Sequence, residues 1–213
     1  MQASLLLSLW APALRVNPSR GNFYWLSGAI AIAKELGLHR DGPVSRNDIS
    51  DGKLLRRVWW GCVIRDVFLA ITYRRPTIIR LGDYDVLPLT WEDAMDASEE
   101  SKFYNLTSEQ QLAKMFAHLT QIAPLACKVL EVRFSVATRT PPINQSPSRG
   151  LDSLLDMERT YTELVIWHKS FLATGDISFV DSEETISKAL MLHRNMILIL
   201  YKCVEPVLPK RES

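Results

Sequence analysis

Leu36-Gly37-Leu38-His39-Arg40-Asp41, Leu55-Arg56-Arg57-Val58-Trp59-Trp60, Asp66, Arg75-Pro76 and Asp83-Tyr84-Asp85-Val86-Leu87-Pro88 form the stretch that decides how this 213-residue chain folds. Upstream of Gly37, Trp25, Leu26, Ala29, Ile32, Ala33 and Leu36 recur at helical spacing, which predicts a helix over 22–36 with Asn22 as its N-cap. Gly37 suits the left-handed residue that closes a helix. Leu55, Val58, Trp59, Cys62, Val63, Asp66, Val67, Ala70 and Tyr73 form one stripe, which predicts a helix over 53–73. Residues 76–91 carry Pro76, Pro88, Ile78-Ile79 and Gly82, and read as an extended, proline-bounded segment lying along the helices.

The charges in this stretch have a structural reading. Asp66 shares its stripe with Trp59 and Cys62, so it is expected to be buried, and a buried carboxylate needs a partner. Arg75, or an arginine of the pair Arg56-Arg57, is the expected partner, because a guanidinium offers a rigid bidentate fork. Asp83 and Asp85 are expected to hold Arg40 or Arg80. Trp59 and Trp60 point about 100° apart on a helix and cannot share the centre of one seam. Both read first as core residues; Trp60 could also close a second helix contact or line a pocket.

The rest of the chain also reads as helix. An apolar helix is expected over 2–14. The run Leu5-Leu6-Leu7-Ser8-Leu9-Trp10 before Ala11-Pro12-Ala13 mimics a short signal peptide, but no Lys or Arg precedes it. It reads instead as the back half of a buried helix, in a chain that starts and stops as a fragment. Residues 83–100 are acidic and read as a solvated loop with a short helix. Ser108-Glu109-Gln110-Gln111 has capping-box form and opens a long helix carrying Leu112, Met115, Phe116, Leu119, Ile122, Ala123, Leu125, Val129, Val132 and Val136, with a kink at Pro124. Residues 138–150, with Pro141, Pro142 and Pro147, read as a flexible loop inside a single domain spanning 1–213. Further helices are expected over 151–172, with Leu155, Glu158, Tyr161 and Leu164 on its stripe, and from the cap at 181–184 to Cys203. The fold class is therefore all-α: an irregular multi-helix domain with one extended segment.

Composition narrows the chemistry. With 25 basic and 24 acidic residues, the net charge of +1 offers little pull on DNA or an anionic membrane. Apolar residues at 47% and charged residues at 23% fit a folded domain. The apolar run over 196–201 is too short to span a bilayer. Cys62, Cys127 and Cys203 are scattered, and read as small core residues in a reducing compartment. No H-E-x-x-H, C-x-x-C, calcium loop, phosphate loop or G-x-S-x-G elbow occurs. The histidines read as surface or packed residues. No catalytic, cofactor-binding or metal-ligating residue is assigned.

The order and spacing of these motifs resemble the middle homology region of fungal zinc-cluster transcription factors. That region reads as a helix ending in L-G-L-H-R, a loop, R-R-x-W-W, an Asp, then G-R-P and an acidic segment ending in Pro. His39, Arg40, Arg56, Arg57, Trp59, Trp60, Asp66, Arg75, Pro76, Asp83, Asp85 and Pro88 match it. Arg74 stands where the family has Gly, and Val67 replaces a frequent basic residue. The resemblance is sharpest over 2–88. It implies a nuclear regulatory domain, not an enzyme, that answers a small-molecule effector or co-regulator proteins and leaves homodimerisation open. DNA would be reached only indirectly, through a zinc-cluster module with six closely spaced cysteines that this chain lacks. Zinc is therefore expected only in a missing N-terminal DNA-binding part, with no cofactor in this chain. The alternatives are a stand-alone helical interaction module without DNA binding, and an all-α small-molecule enzyme.

Overall fold

The computed structural model describes residues 1–9, 21–41, 49–95, 106–134, 147–173 and 184–204. Among these the chain forms α1 (Gln2–Leu9), α2 (Asn22–Glu35), α3 (Ile49–Tyr73), α4 (Trp91–Ala94), α5 (Leu106–Phe134), α6 (Pro147–Ala173) and α7 (Glu184–Val204), with a 3-10 turn at Leu81–Asp83 and no strand. The expected all-α class is the observed one.

Helix α5 is the hub: α3, α4, α6, α7 and the 3-10 turn all pack on it. Helix α2 lies between α1 and α3. The core is continuous, running from Leu26, Ala29, Ile30 and Ala33 through Trp59, Val63 and Val67 to Ile122, Ala126 and Leu130, and on to Leu164 and Leu200. Helix α5 continues through Pro124. Its stripe is buried at Met115, Leu119, Ile122, Ala123 and Val129.

Several boundaries differ from expectation for local reasons. Gly21 occupies the N-cap of α2 and Asn22 is its first helical residue. The buried face of α2 is Leu26, Ala29, Ile30 and Ala33, which leaves Ile32 and Leu36 exposed. Helix α1 is not a buried helix: Leu6, Leu7 and Leu9 are exposed. Residues 10–14 of the expected first helix lie outside the described residues, as do 138–146. Pro147, placed by its sequence in the loop, opens α6, where a fixed φ and a missing N–H cost nothing. Ser108 is buried in the first turn of α5, two residues inside the start. In α6 the inner face is Thr160, Leu164 and Phe171, so Leu155 and Glu158 point outward. Tyr73, at the end of α3, is exposed. Cys62 and Cys127 are core residues, but Cys203 is exposed.

Two helix ends use the left-handed cap, with opposite chemistry. At the end of α2, Gly37 has φ +75°, and Leu38 N–H donates to Ala33 O (3.0 Å) while Gly37 N–H donates to Lys34 O (3.0 Å). At the end of α3, Arg74 takes the same place with φ +52°, and Arg75 N–H donates to Ala70 O (3.0 Å) and Arg74 N–H to Ile71 O (3.3 Å). Both patterns are the Schellman closure. A residue with a Cβ is strained there by about 1–2 kcal/mol, part of which a glycine returns as unfolded-chain entropy. Replacing Arg74 by Gly is therefore expected to stabilise the domain by about 0.5–1 kcal/mol in urea unfolding. Gly37→Ala should destabilise it by about 1 kcal/mol through backbone strain alone, because an added Cβ meets nothing within 4 Å.

Candidate functional site

Residues 75–90 leave α3 and run as an irregular strap to α4, interrupted by the 3-10 turn. An extended chain cannot bond to itself, so its buried backbone groups must find partners on the helices. Helices α3 and α5 supply them, with His39 just beyond α2, and nearly every motif residue of the 36–88 stretch takes part.

Asp66 is the deepest tie. It is 1% exposed, and its Oδ2 accepts from Ile78 N–H (2.7 Å) and Ile79 N–H (2.8 Å). Burial pushes its carboxyl up to about 6, against the pull of those two N–H groups and of the more distant Arg75 and Lys34 charges. The expected partner is thus corrected: backbone amides of the strap, not an arginine, hold Asp66. Two amides presented in sequence satisfy one oxygen at short range without burying a second charge. The Arg75 guanidinium instead lies 3.4 Å over the Phe23 ring of α2 and 5.3 Å from the Tyr73 ring.

Trp59 and Trp60 are both fully buried. This is possible for neighbours on one helix because α3 is covered on two sides, by α2 and α5 and by the strap. Trp60 Nε1 donates to Leu87 O (2.9 Å), so its polar contact is with the strap and not with a second helix. Tyr84 inserts edge-on between the indoles, with centroids 5.7 Å from Trp59 and 5.8 Å from Trp60. Burial raises the Tyr84 phenol well above its ordinary range. His39 packs against Trp59 at 6.1 Å.

The outer ties are ionic. Lys34 Nζ lies 2.7 Å from Asp83 Oδ2, and this bond holds the Asp83 carboxyl below its ordinary value. Asp85 Oδ1 accepts from Asp41 N–H (2.6 Å), Asp85 N–H donates to His39 O (3.2 Å), and Arg40 sits 3.8 Å from Asp85. Arg40 is therefore the partner of Asp85, whereas Asp83 is held by Lys34 and by the backbone N–H of Arg80 (3.3 Å). Arg56 reaches Leu87 O (3.4 Å) and Asp93 (3.4 Å), and Arg57 donates to Ala94 O (3.4 Å). Pro76 and Pro88 bound the strap at exposed positions. On the α5 side, Leu89 N–H donates to Thr120 Oγ1 (3.1 Å) and Leu81 N–H to Glu131 Oε1 (3.3 Å).

Sequence reasoning missed Lys34, Thr120, Glu131 and Tyr84. Tyr84 had a signal: in an extended chain the side chains of Asp83 and Asp85 point one way and that of Tyr84 the other. Asp93 is no merely solvated acid, because Lys53 (3.7 Å) and Arg56 both face it. Two of the histidines pack on aromatic rings: His168 stacks on Tyr201 at 3.9 Å, and His118 meets Phe171 edge-on at 5.0 Å.

A zinc cluster does not fit this chain. Burial pushes the Cys62 thiol up to about 12, and that of Cys127 is raised as well. Among the described residues no group of three or more His, Cys, Asp or Glu could hold a metal ion. Among them, too, no helix is long and apolar enough to cross a membrane.

The family model described as the fungal specific transcription factor domain matches residues 1–169. The chain belongs to this family. The matched region contains α1 to α5, the whole strap and most of α6. Cutinase transcription factor 1 beta of Fusarium vanettenii is 27% identical over 189 residues, which cover 80% of this chain and 21% of that protein. Cutinase transcription factor 1 alpha of the same fungus is 28% identical over 165 residues, 77% of this chain and 18% of the relative. The acetamidase regulatory protein of Emericella nidulans is 38% identical over 93 residues, 44% of this chain and 12% of the relative. The chain thus spans about a fifth of the length of the two Fusarium relatives. No solved structure matches it. This fungal transcription factor domain is a regulatory domain, consistent with relatives named as transcription regulators.

Proposed function

We propose that this domain acts in the nucleus as the shape-setting regulatory part of a zinc-cluster transcription factor whose DNA-binding module lies in another part of the protein. It works through conformation and contacts, not through catalysis. The observation that carries this reading is the layered attachment of the strap. Its centre is fixed by Asp66 and Trp60, while its rim is held by solvent-accessible pairs, the half-buried Lys34–Asp83 (side chains 35% and 34% exposed) and the exposed Arg40–Asp85 (62% and 55%). Solvent-accessible pairs are worth about 0–1 kcal/mol each, so a co-regulator or small-molecule effector can exchange them at little cost and bias the domain between two shapes. Asp66, sealed and engaged by two amides, cannot reach a substrate, which tells against the enzyme alternative.

The test is a reporter assay in a fungal host, with the chain fused to a heterologous DNA-binding domain. The fusion is expected to give an output different from that of the DNA-binding domain alone. The double variant Lys34→Ala/Asp85→Ala is expected to shift that output at least about twofold at equal protein level, while its unfolding free energy falls by no more than about 2 kcal/mol. An output identical for fusion, double variant and DNA-binding domain alone would overturn the reading. A signal from the chain with no tethered DNA-binding domain would favour the stand-alone interaction module.

A further inference from the structure

Asp66 and Arg75 carry opposite charges, and each keeps a buried edge that bonds to nothing. Asp66 Oδ2 accepts from Ile78 and Ile79, whereas Oδ1 is sealed from solvent without a hydrogen bond. Nε and Nη2 of Arg75 are sealed and unbonded in the same way. These two nitrogens form one side of the guanidinium, a side that can grip a carboxylate with two parallel N–H bonds. The flat face of the same guanidinium rests on the Phe23 ring of α2, 3.4 Å from its centre.

The two groups are neighbours. Arg75 N–H donates to Ala70 O (3.0 Å), four residues beyond Asp66 on α3. The Arg75 backbone is thereby anchored about 6 Å along the helix from Asp66, a span an arginine side chain covers. Burial raises the Asp66 carboxyl to about 6 against the pull of the strap amides, Arg75 and Lys34, and burial lowers the Arg75 guanidinium against that of Asp66 and Tyr73. Side-chain rotation alone turns the free edge of Arg75 toward Oδ1 and leaves the strap backbone in place.

Charge decides between the two positions. A buried carboxylate with a bare oxygen is costly, and a guanidinium edge offsets that cost. A protonated carboxyl has no charge to hold a cation, so the ring face prevails. The other charged and titratable groups around Asp66 are Lys34 of α2, engaged with Asp83 at 2.7 Å, Cys62 of its own helix and Cys127 of α5. Both thiols stay protonated near neutral pH, since burial pushes Cys62 up to about 12 and raises Cys127 as well. We propose that Arg75 is a two-position latch: it rests on Phe23 of α2 while Asp66 is protonated, and turns its Nε–Nη2 edge onto Asp66 Oδ1 when that carboxyl ionises. The contact between α2 and the start of the strap then depends on the charge of one buried residue. The latch supplies a moving part for the two shapes of the domain. It is tested on the chain alone, so its failure and a failure of the reporter assay are separate results.

The test is a nuclear magnetic resonance titration of the full 213-residue chain from pH 5 to 7.5, following the Arg75 side-chain protons and the Asp66 carboxyl carbon. At pH 5 the Phe23 ring should shift the Arg75 Hδ protons upfield. That upfield shift is expected to be lost as pH rises, with the same midpoint as the Asp66 carboxyl. In Asp66→Asn, which cannot ionise, it should persist at every pH. Phe23→Leu removes the ring position and should lower the Asp66 midpoint by about 0.4 of a pH unit or more, the small end of what a cation–π contact contributes. An Arg75 signal that stays upfield throughout in the wild type overturns the proposal. So does a pH response that survives in Asp66→Asn, which would belong to another group, and so does an Asp66 midpoint that Phe23→Leu leaves unmoved.

Discussion

Asp66→Ala is expected to lower the unfolding free energy by about 2–4 kcal/mol at pH 7, measured by urea denaturation. The side chain is small, so lost packing is the lesser part. The larger part is two strap amides, Ile78 N–H and Ile79 N–H, left in a site from which the rest of the core excludes water. A buried donor without an acceptor costs about 1–3 kcal/mol. Against that stands a gain: the variant no longer carries a carboxylate that burial has raised from 3.8 to about 6. That displacement corresponds to ~3 kcal/mol of preference for the protonated form in the folded state.

The two contributions separate with pH. Between about 4 and 6 the folded chain holds a proton on Asp66 that the unfolded chain has released, so wild-type stability falls as pH rises through this window and levels off above it. Protonation fits the geometry, because Oδ1 has no partner and can carry the proton while Oδ2 keeps both amides. The penalty of Asp66→Ala should therefore be larger at pH 5 than at pH 7.5. Asp83, whose carboxyl Lys34 holds low, acts in the opposite sense, and only at more acidic pH: its contribution is lost as pH falls below 3.8. Asp66→Asn keeps an acceptor but cannot ionise. It should be more stable than the alanine variant and lack the slope between pH 4 and 6. A wild type whose stability is flat from pH 4 to 7, or an alanine variant as stable as the wild type, would defeat the account of Asp66 as the tie of the strap.

The same residue marks what the sequence could and could not tell. The helices were legible, because apolar spacing at 3.6 residues reports the face a helix buries, and because Gly37 announced its left-handed cap. The burial of Asp66 was legible from its place between Cys62 and Val67. Its partner was not, because every residue has a backbone N–H and no side-chain pattern announces that two of them will point inward. Thr120 and Glu131 were hidden for a related reason. Each sits on a helix whose periodicity explains it fully, and its role depends on where a distant segment crosses. The outward turn of Leu155 was misread because α6 carries apolar residues on two sides, and one stripe drawn through both hides the second.

Trp60→Ala is expected to cost about 3–5 kcal/mol, enough to bring a domain of ordinary stability close to unfolding. Trp60 is fully buried, and its removal leaves a void beside Tyr84 and frees Leu87 O from the indole N–H. The informative comparison is with phenylalanine at both tryptophans. Trp60→Phe keeps a ring for Tyr84 but loses the 2.9 Å bond to Leu87 O, which adds about 1 kcal/mol to the loss of volume. Trp59→Phe loses similar volume but also removes an indole N–H that has no acceptor, so part of its penalty is returned. Phenylalanine should therefore be tolerated better at 59 than at 60, although Trp59 sits nearer the centre of the stripe and both side chains are equally buried. Urea denaturation of the three single variants tests this. If the strap is held at Leu87 by the indole, limited proteolysis should also cut residues 84–89 sooner in Trp60→Phe than in Trp59→Phe. Equal tolerance at the two positions, with equal resistance to cleavage, would mean that the Trp60 N–H does not hold the strap and that bulk alone matters there.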